Sequence, residues 1–180
     1  DVLRQQVDRM RRQIDYHLAH ARAAASGAMP GASCDVAVAT DGLVRTLERL
    51  HAGRGLSIRA SVPAGVVVRA QREDLDGMLG NLLDNACTWG RSVVQVTSRA
   101  IPGAVEITVD DDGSGIRPEA FEKIFERFYT DRPHQGFGQN SGLGLSICYG
   151  IVQEHGGRVE VESTLGQGTT FRVVLPVVEA

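Results

Sequence analysis

Residues Arg72 to Trp89 most constrain what this chain can become. Leu75, Met78, Leu79, Leu82, Leu83 and Ala86 recur at three- and four-residue steps, which predicts a helix with one apolar stripe that must lie on other elements. Within it, Asn81-Leu82-Leu83-Asp84-Asn85 places two asparagines at i and i+4, so one helix face carries two amide oxygens side by side. Asn is a modest helix former, and two of them flanking Leu-Leu call for a reason beyond propensity. The plain alternative is an exposed pair decorating a surface helix. Two glycine motifs follow in order, Asp111-Asp112-Gly113-Ser114-Gly115 directly after the strand-like Val105–Val109, and Gly142-Leu143-Gly144-Leu145. Glycine is over-used, at 21 of 180 residues against a background of roughly 7%. Many of these glycines fall between Gly113 and Gly168, where backbone N–H groups can approach a ligand closely. Ordinary turns are the alternative for them.

Composition removes several classes. A chain 42% apolar and 23% charged can bury a core, and its net charge of −3 leaves no basic footprint for nucleic acid. No apolar run approaches the roughly 20 residues needed to cross a bilayer. Cys34, Cys87 and Cys148 have neither pairing nor metal spacing, and read as reduced thiols, with Cys87 and Cys148 as small core residues.

Along the chain, Leu3, Val7, Met10, Ile14 and Leu18 form the apolar seam of a first helix, which needs a partner helix. A Gly- and Pro-containing linker from Ser26 to Ser33 marks a boundary, giving domains 1–33 and 34–180. Asp35–Ala39 reads as a short strand, with Thr40 or Asp41 capping a helix through Leu43, Leu47 and Leu50. Leu56–Val62 and Val66–Ala70 read as strands joined by Pro63-Ala64-Gly65, and Val93–Ser98 with Val105–Val109 as a hairpin. Helices are expected over Pro118–Phe128 and Gly142–Glu154, flanking a loop from Tyr129 to Ser141, with closing strands Arg158–Glu162 and Thr169–Leu175. Hairpins mixed with helices predict an α+β fold, a two-layer sandwich of a mixed β-sheet and a few helices, preceded by the long N-terminal helix.

The three motifs, in this order and at these separations, resemble the N box and glycine boxes of sensor histidine kinases, members of the Bergerat (GHKL) ATP-binding fold. The resemblance spans about residues 34–176, and Asn-Leu-Leu-Asp-Asn-Ala-Cys is closest to the PhoQ-like branch. It implies ATP and Mg²⁺ as cofactors, with Asn85 as the principal metal ligand and Asn81 supporting metal or phosphate. Amide oxygens suit a hard cation that keeps some of its water. Asp111 would accept the adenine amino group. Spacing to Gly113 and Gly115 selects it from Asp110-Asp111-Asp112, and Ser114 stands where the family usually has Pro. Gly142, Leu143, Gly144 and Leu145 would open a helix whose free N–H groups and dipole face phosphates. Phe121, Phe125 and Phe128 match the F box at one end of a lid. Arg127 is a candidate for the phosphates and Arg132 a weaker one, while His134 reads as solvated. Trp89 either covers the adenine or ribose or belongs to the core. Gly166-Gln167-Gly168-Thr169 is either a third glycine box or a hairpin turn, with Thr169 at the nucleotide site on the first reading. Thr88 stands where many relatives carry a basic residue, so one phosphate contact is missing or comes from Arg91.

The same fold serves hydrolases that place a Glu four residues before the metal-binding Asn, as the base that activates water. Asn81 occupies that position and cannot accept a proton, which favours transfer to a protein side chain. His17 and His20 lack the neighbouring acid and Pro of an acceptor motif. Residues 1–33 therefore resemble the second helix of a dimerisation hairpin plus linker. The implied partners are a phosphoacceptor His domain, a response regulator and a second copy in a full-length homodimer, with no nucleic acid. The implied setting is cytoplasmic, with the full-length kinase either soluble or anchored in the inner membrane. A regulatory nucleotide-binding pseudokinase and an anti-sigma-factor-type serine kinase are the alternatives, the second fitting residues 1–25 poorly.

Overall fold

A computed structural model describes residues 32–127, 129 and 142–177. The N-terminal helix and linker, Phe128, Arg132, His134 and the rest of the loop 130–141 lie outside the described residues. The chain runs β1 (Cys34–Asp35), α1 (Val36–Leu50), β2 (Ser57–Ser61), β3 (Val67–Val68), α2 (Arg72–Trp89), β4 (Val93–Ile101), β5 (Ala104–Asp111), α3 (Gly144–Glu154), β6 (Arg158–Thr164) and β7 (Gly168–Pro176). Five strands form one mixed sheet in the order β2-β4-β5-β7-β6, with β2 parallel to β4 and the other pairs antiparallel. β1 and β3 make a separate two-stranded pair.

Alternation along the strands separates the two faces. Val94, Val96, Val105, Ile107, Val109, Phe171, Val173 and Leu175 point to the helices and are buried, together with Leu75, Met78, Leu79, Leu82, Leu83 and Ala86 of α2. The α+β two-layer expectation holds. The opposite face carries a ladder of opposite charges across four strands. Arg158 meets Glu160 at 3.0 Å, Arg172 meets Glu162 at 2.9 Å and Glu106 at 3.7 Å, and Arg99 meets Glu106 at 2.7 Å. The outer pairs are solvated but Glu106 is buried, so Arg172→Met is expected to lower the denaturation midpoint modestly in a denaturant titration, with Arg99 still pairing Glu106.

Three expectations need correction. Residues 36–39 are helix, because Asp35 caps α1: its Oδ1 accepts from Ala37 N at 2.8 Å and Val38 N at 3.4 Å, and its Oδ2 accepts from Gly65 N at 2.9 Å. Thr40 sits inside α1 with its hydroxyl on Val36 O at 2.8 Å. The bond from Gly65, then those from Ala37 and Val38, outweigh desolvation and hold the Asp35 carboxyl below its ordinary value. Its stabilisation is therefore present above the unfolded carboxyl value and lost as pH falls through the lowered one. Asp35→Ala is expected to cost about 1–2 kcal/mol at pH 7 by thermal unfolding. β2 and β3 do not pair with each other; β2 joins β4 instead, and β3 shrinks to two residues beside β1. Finally, the described part of Pro118–Phe128, residues 118–127, is no α-helix: a 3₁₀ turn at Pro118–Ala120 runs into further turns, including Lys123 N to Ala120 O and Glu126 N to Lys123 O. The aromatic side chains there answer to tertiary contact, Phe125 standing between Tyr149 (5.4 Å between ring centroids) and Phe171 (6.3 Å, edge-on).

Candidate nucleotide site

α2 spans the predicted residues and turns one side toward α3. Asn81 and Asn85 are half-buried there, and Thr88 continues the same stripe one turn on. Asn81 Nδ2 donates to Gly77 O at 2.6 Å, which turns Oδ1 toward the start of α3; a Cβ on Gly144 would lie 3.0 Å from that oxygen. The second glycine motif thus abuts the first asparagine. α3 begins at Gly144, two residues later than predicted. Gly142 has φ 66°, a left-handed conformation, and Leu143 precedes the helix as a buried anchor. Leu143 O receives Ile147 N and Ser146 Oγ, at 2.9 and 2.8 Å, and Leu145 is half-buried.

The three consecutive acids part company by alternation. Asp110 faces the charged side of the sheet, bonded by Thr170 Oγ1. Asp111, the last residue of β5, turns inward and is 9% exposed. Asp112 accepts from the backbone N–H groups of Arg91, Ser92 and Val93 at 2.8, 3.0 and 3.1 Å and from the Ser92 hydroxyl. Although desolvation opposes them, these donors hold the Asp112 carboxyl well below the usual range, so it is a charged staple between the end of α2 and β4. Asp111 has the reverse character. Its Oδ1 accepts from Gly113 N at 2.8 Å, but burial, with the charges of Asp112 and Asp110, pushes the carboxyl up to about 6. The backbone N–H groups of Gly113 and Thr169 both favour its charged form, and burial outweighs them.

Gly113 and Gly115 are demanded by the protein's own backbone. A Cβ at Gly113 would strike Trp89 O, and one at Gly115, where φ is 72°, would strike Thr164 O. The loop is thereby clasped between the end of α2 and the β6–β7 turn. That turn, Leu165 to Gln167, is a hairpin, and Thr169 just beyond it pairs with Asp111 across the sheet, buried and bonded to Ser163 Oγ at 2.9 Å. The hairpin-turn reading of this segment holds. Trp89 is half-buried at the end of α2, and Arg91 and Arg127 are exposed. Cys87 and Cys148 are buried, which pushes both thiols up to about 12 and leaves them unreactive at neutral pH.

Sequence reasoning missed Arg54. Its guanidinium donates to Cys87 O and, at 3.0 Å, to Gly90 O, supplying the cation that the last turn of α2 lacks. No local pattern signals a cap contributed from 33 residues away. The role of Asp112 was legible in principle, since strand alternation sends neighbouring acids to different sides.

This geometry has relatives. Over 176 residues the chain is 39% identical to the sensor protein kinase CarS of Pseudomonas aeruginosa, covering 98% of this chain and 38% of CarS. Over 105 residues it is 39% identical to the sensor protein SrrB of Staphylococcus aureus, 57% of this chain and 18% of that one. The chain therefore spans well under half the length of these relatives. Among solved structures, the mycobacterial sensor histidine kinase MprB matches at TM-score 0.66 and 32% identity, over 80% of this chain and 95% of that one. Full-length ShkA, solved in complex with AMPPNP, matches at TM-score 0.73 and 28% identity, over 99% of this chain and 38% of that one. Residues 70–179, which hold the asparagine helix, the inward aspartate and both glycine motifs, match the family model for histidine kinase-, DNA gyrase B- and HSP90-like ATPases, and the chain belongs to that family.

Proposed function

We propose that this chain binds Mg²⁺-ATP between α2, α3 and the Gly113–Gly115 loop, and directs its γ-phosphoryl group to a histidine on a dimerisation helix that is not part of the chain. The observation that carries the reading is the approach of the α3 N-terminus at Gly144 to Asn81, with the buried Asp111 and its glycine loop packed at the C-terminal end of the same α2 helix. Asp111 then takes the adenine amino group, with Thr169 beside it on β7. The first turn of α3 offers N–H groups and the positive end of its dipole to phosphates.

The donor set fits a hard cation. Asn81 Oδ1 is turned toward the start of α3 by the bond its Nδ2 makes to Gly77 O, and the Asn85 amide has no protein partner among the described residues. Asn85 would hold Mg²⁺ and Asn81 would support it or a phosphate; bound there, the cation supplies charge neutralisation across the phosphate oxygens. The chain's own part is to orient the nucleotide and keep its terminal phosphate facing an incoming imidazole. With Asn81 where a general base would stand, the site activates no water, which favours phosphotransfer over hydrolysis. The acceptor domain, the response regulator and a homodimer of the longer protein follow from the same reading, as does residues 1–33 being the second helix of the dimerisation hairpin.

Calorimetric titration with AMPPNP tests it. One-to-one binding that strengthens with MgCl₂ is expected. Binding indifferent to Mg²⁺ would remove the asparagines from the metal, and no binding would point to Thr88, the residue at the basic position, and to a regulatory module without transfer.

A further inference from the structure

The face of α2 that carries Asn81 and Asn85 holds a third polar residue that the nucleotide reading leaves unused. Asp74 lies seven residues before Asn81, two turns down the same side of the helix, and is 5% exposed. Its Oδ2 accepts from Nε2–H of His155, at 2.9 Å. His155 is the C-cap of α3, and its backbone N–H closes on Ile151 O at 3.1 Å. The chain then turns through Gly156, at φ 67°, and Gly157, whose N–H donates to Val152 O at 2.9 Å. A Cβ at Gly157 would strike Val174 O, so the base of the histidine is seated on the central sheet.

Between the two ends the helices lie close. A Cβ on Gly77 would come 3.5 Å from Ile151 Cδ1, and one on Gly144 would come 3.0 Å from Asn81 Oδ1. Three contacts thus run in order along antiparallel helices: Asp74 with His155, Gly77 with Ile151, and Asn81 with Gly144. The middle contact is apolar and the upper one sets an amide oxygen against a glycine, and neither is a hydrogen bond between the helices. Of the three, the Asp74–His155 contact is the directional one.

We propose that Asp74 and His155 form a register pin: they position the phosphate-facing start of α3 against Asn81 without touching the nucleotide. This rests on the nucleotide reading above. Losing the pin lets α3 slide or tilt at Gly144, where a displacement of about 1 Å disturbs the phosphate cradle but leaves untouched the Asp111 loop, which is held at the end of α2 by Trp89 O and the β6–β7 turn. The signature is selective: phosphate recognition weakens and adenine recognition does not.

The test uses the 180-residue chain with His155→Phe, which keeps ring volume and loses the donor, His155→Gln, which restores one, Asp74→Ala, and the Asp74→Ala/His155→Phe double variant. Mg²⁺-AMPPNP affinity is expected to fall about tenfold in each disrupting single variant, no further in the double variant, and to recover in His155→Gln. Adenosine affinity, followed by NMR shifts of the Asp111 and Gly113 amides, is expected to stay unchanged. Hydrogen exchange at the Ile147 amide, in the first turn of α3, is expected to quicken in the disrupting variants. Parallel weakening of AMPPNP and adenosine, losses that multiply in the double variant, or unaltered AMPPNP affinity well below the melting temperature would overturn the pin. If the unaltered chain binds no nucleotide, the reading of the site falls instead, and Ile147 exchange alone decides the pin: quickening upholds it and no change removes it.

Discussion

Asn85→Ala is expected to reduce phosphotransfer to an acceptor-helix partner by at least about 100-fold while leaving the melting temperature within a few degrees. Asn85 is half-buried and outside the apolar stripe of α2, so its truncation opens no core cavity, and Ala is the better helix former. On the proposed reading Asn85 would hold Mg²⁺, and removing one well-placed ligand or charge-stabilising group costs about two to three orders of magnitude in rate. The decisive comparison sets transfer rate against melting temperature in the same preparation. Transfer at the unaltered rate would take Asn85 out of the metal site; a collapse of both would make it a structural residue.

Asp111→Asn is expected to do two opposite things. Nucleotide affinity should fall by about 100-fold, because the variant trades a charged acceptor for an amide whose NH₂ meets the adenine amino group donor to donor. Thermal stability should rise. Below about pH 4 the carboxyl is neutral in folded and unfolded chains alike, so burial costs nothing extra. As pH climbs, the unfolded chain releases its proton first, while the folded carboxyl, at about 6, keeps its own. The neutral form's stabilisation is therefore full below the unfolded value and gone once pH passes about 6, a loss of roughly 2–3 kcal/mol at neutral pH. The Asn variant escapes it, with one oxygen left to accept from the Gly113 and Thr169 N–H groups that the carboxylate accepts from. A gain of roughly 5 °C at pH 7.5 is expected, closing to nothing near pH 4. A variant no more stable at pH 7.5 than the unaltered chain would mean that the carboxyl is not strained by burial. The same shift makes ATP binding by the unaltered protein pH-dependent. An acceptor that must be ionised, with a value of about 6, weakens binding about tenfold between pH 7.5 and pH 5.

The Arg72–Trp89 helix was fully legible because its apolar stripe and its bounds are local properties, and its six stripe residues are all buried. The strands of the β4–β5 and β6–β7 hairpins were legible for the same reason, each by alternation between turn residues. The order of the motifs was enough to locate the asparagines, Asp111 and the glycine box, since each motif is short and carries its chemistry in adjacent residues. Asp35 was not legible as a cap, because Val36-Ala37-Val38-Ala39 alternates weakly and the bond from Gly65 comes from 30 residues away. The phenylalanine spacing from Phe121 suggested a helix that is absent from residues 118–127, where the Phe125 ring packs on Tyr149 and Phe171 of other elements.

By itself, then, the sequence determined the elements with strong local periodicity, the family's motifs and the residue types able to hold a nucleotide. Tertiary structure decided how deeply Asp111 is buried, why Gly113 and Gly115 cannot carry a side chain, how Arg54 closes the end of α2, and how Asp74 and His155 join two helices. Each of these depends on partners brought together across tens of residues, and neither the burial that raises a carboxyl nor the backbone contact that excludes a Cβ exists until the sheet and its helices have closed on one another.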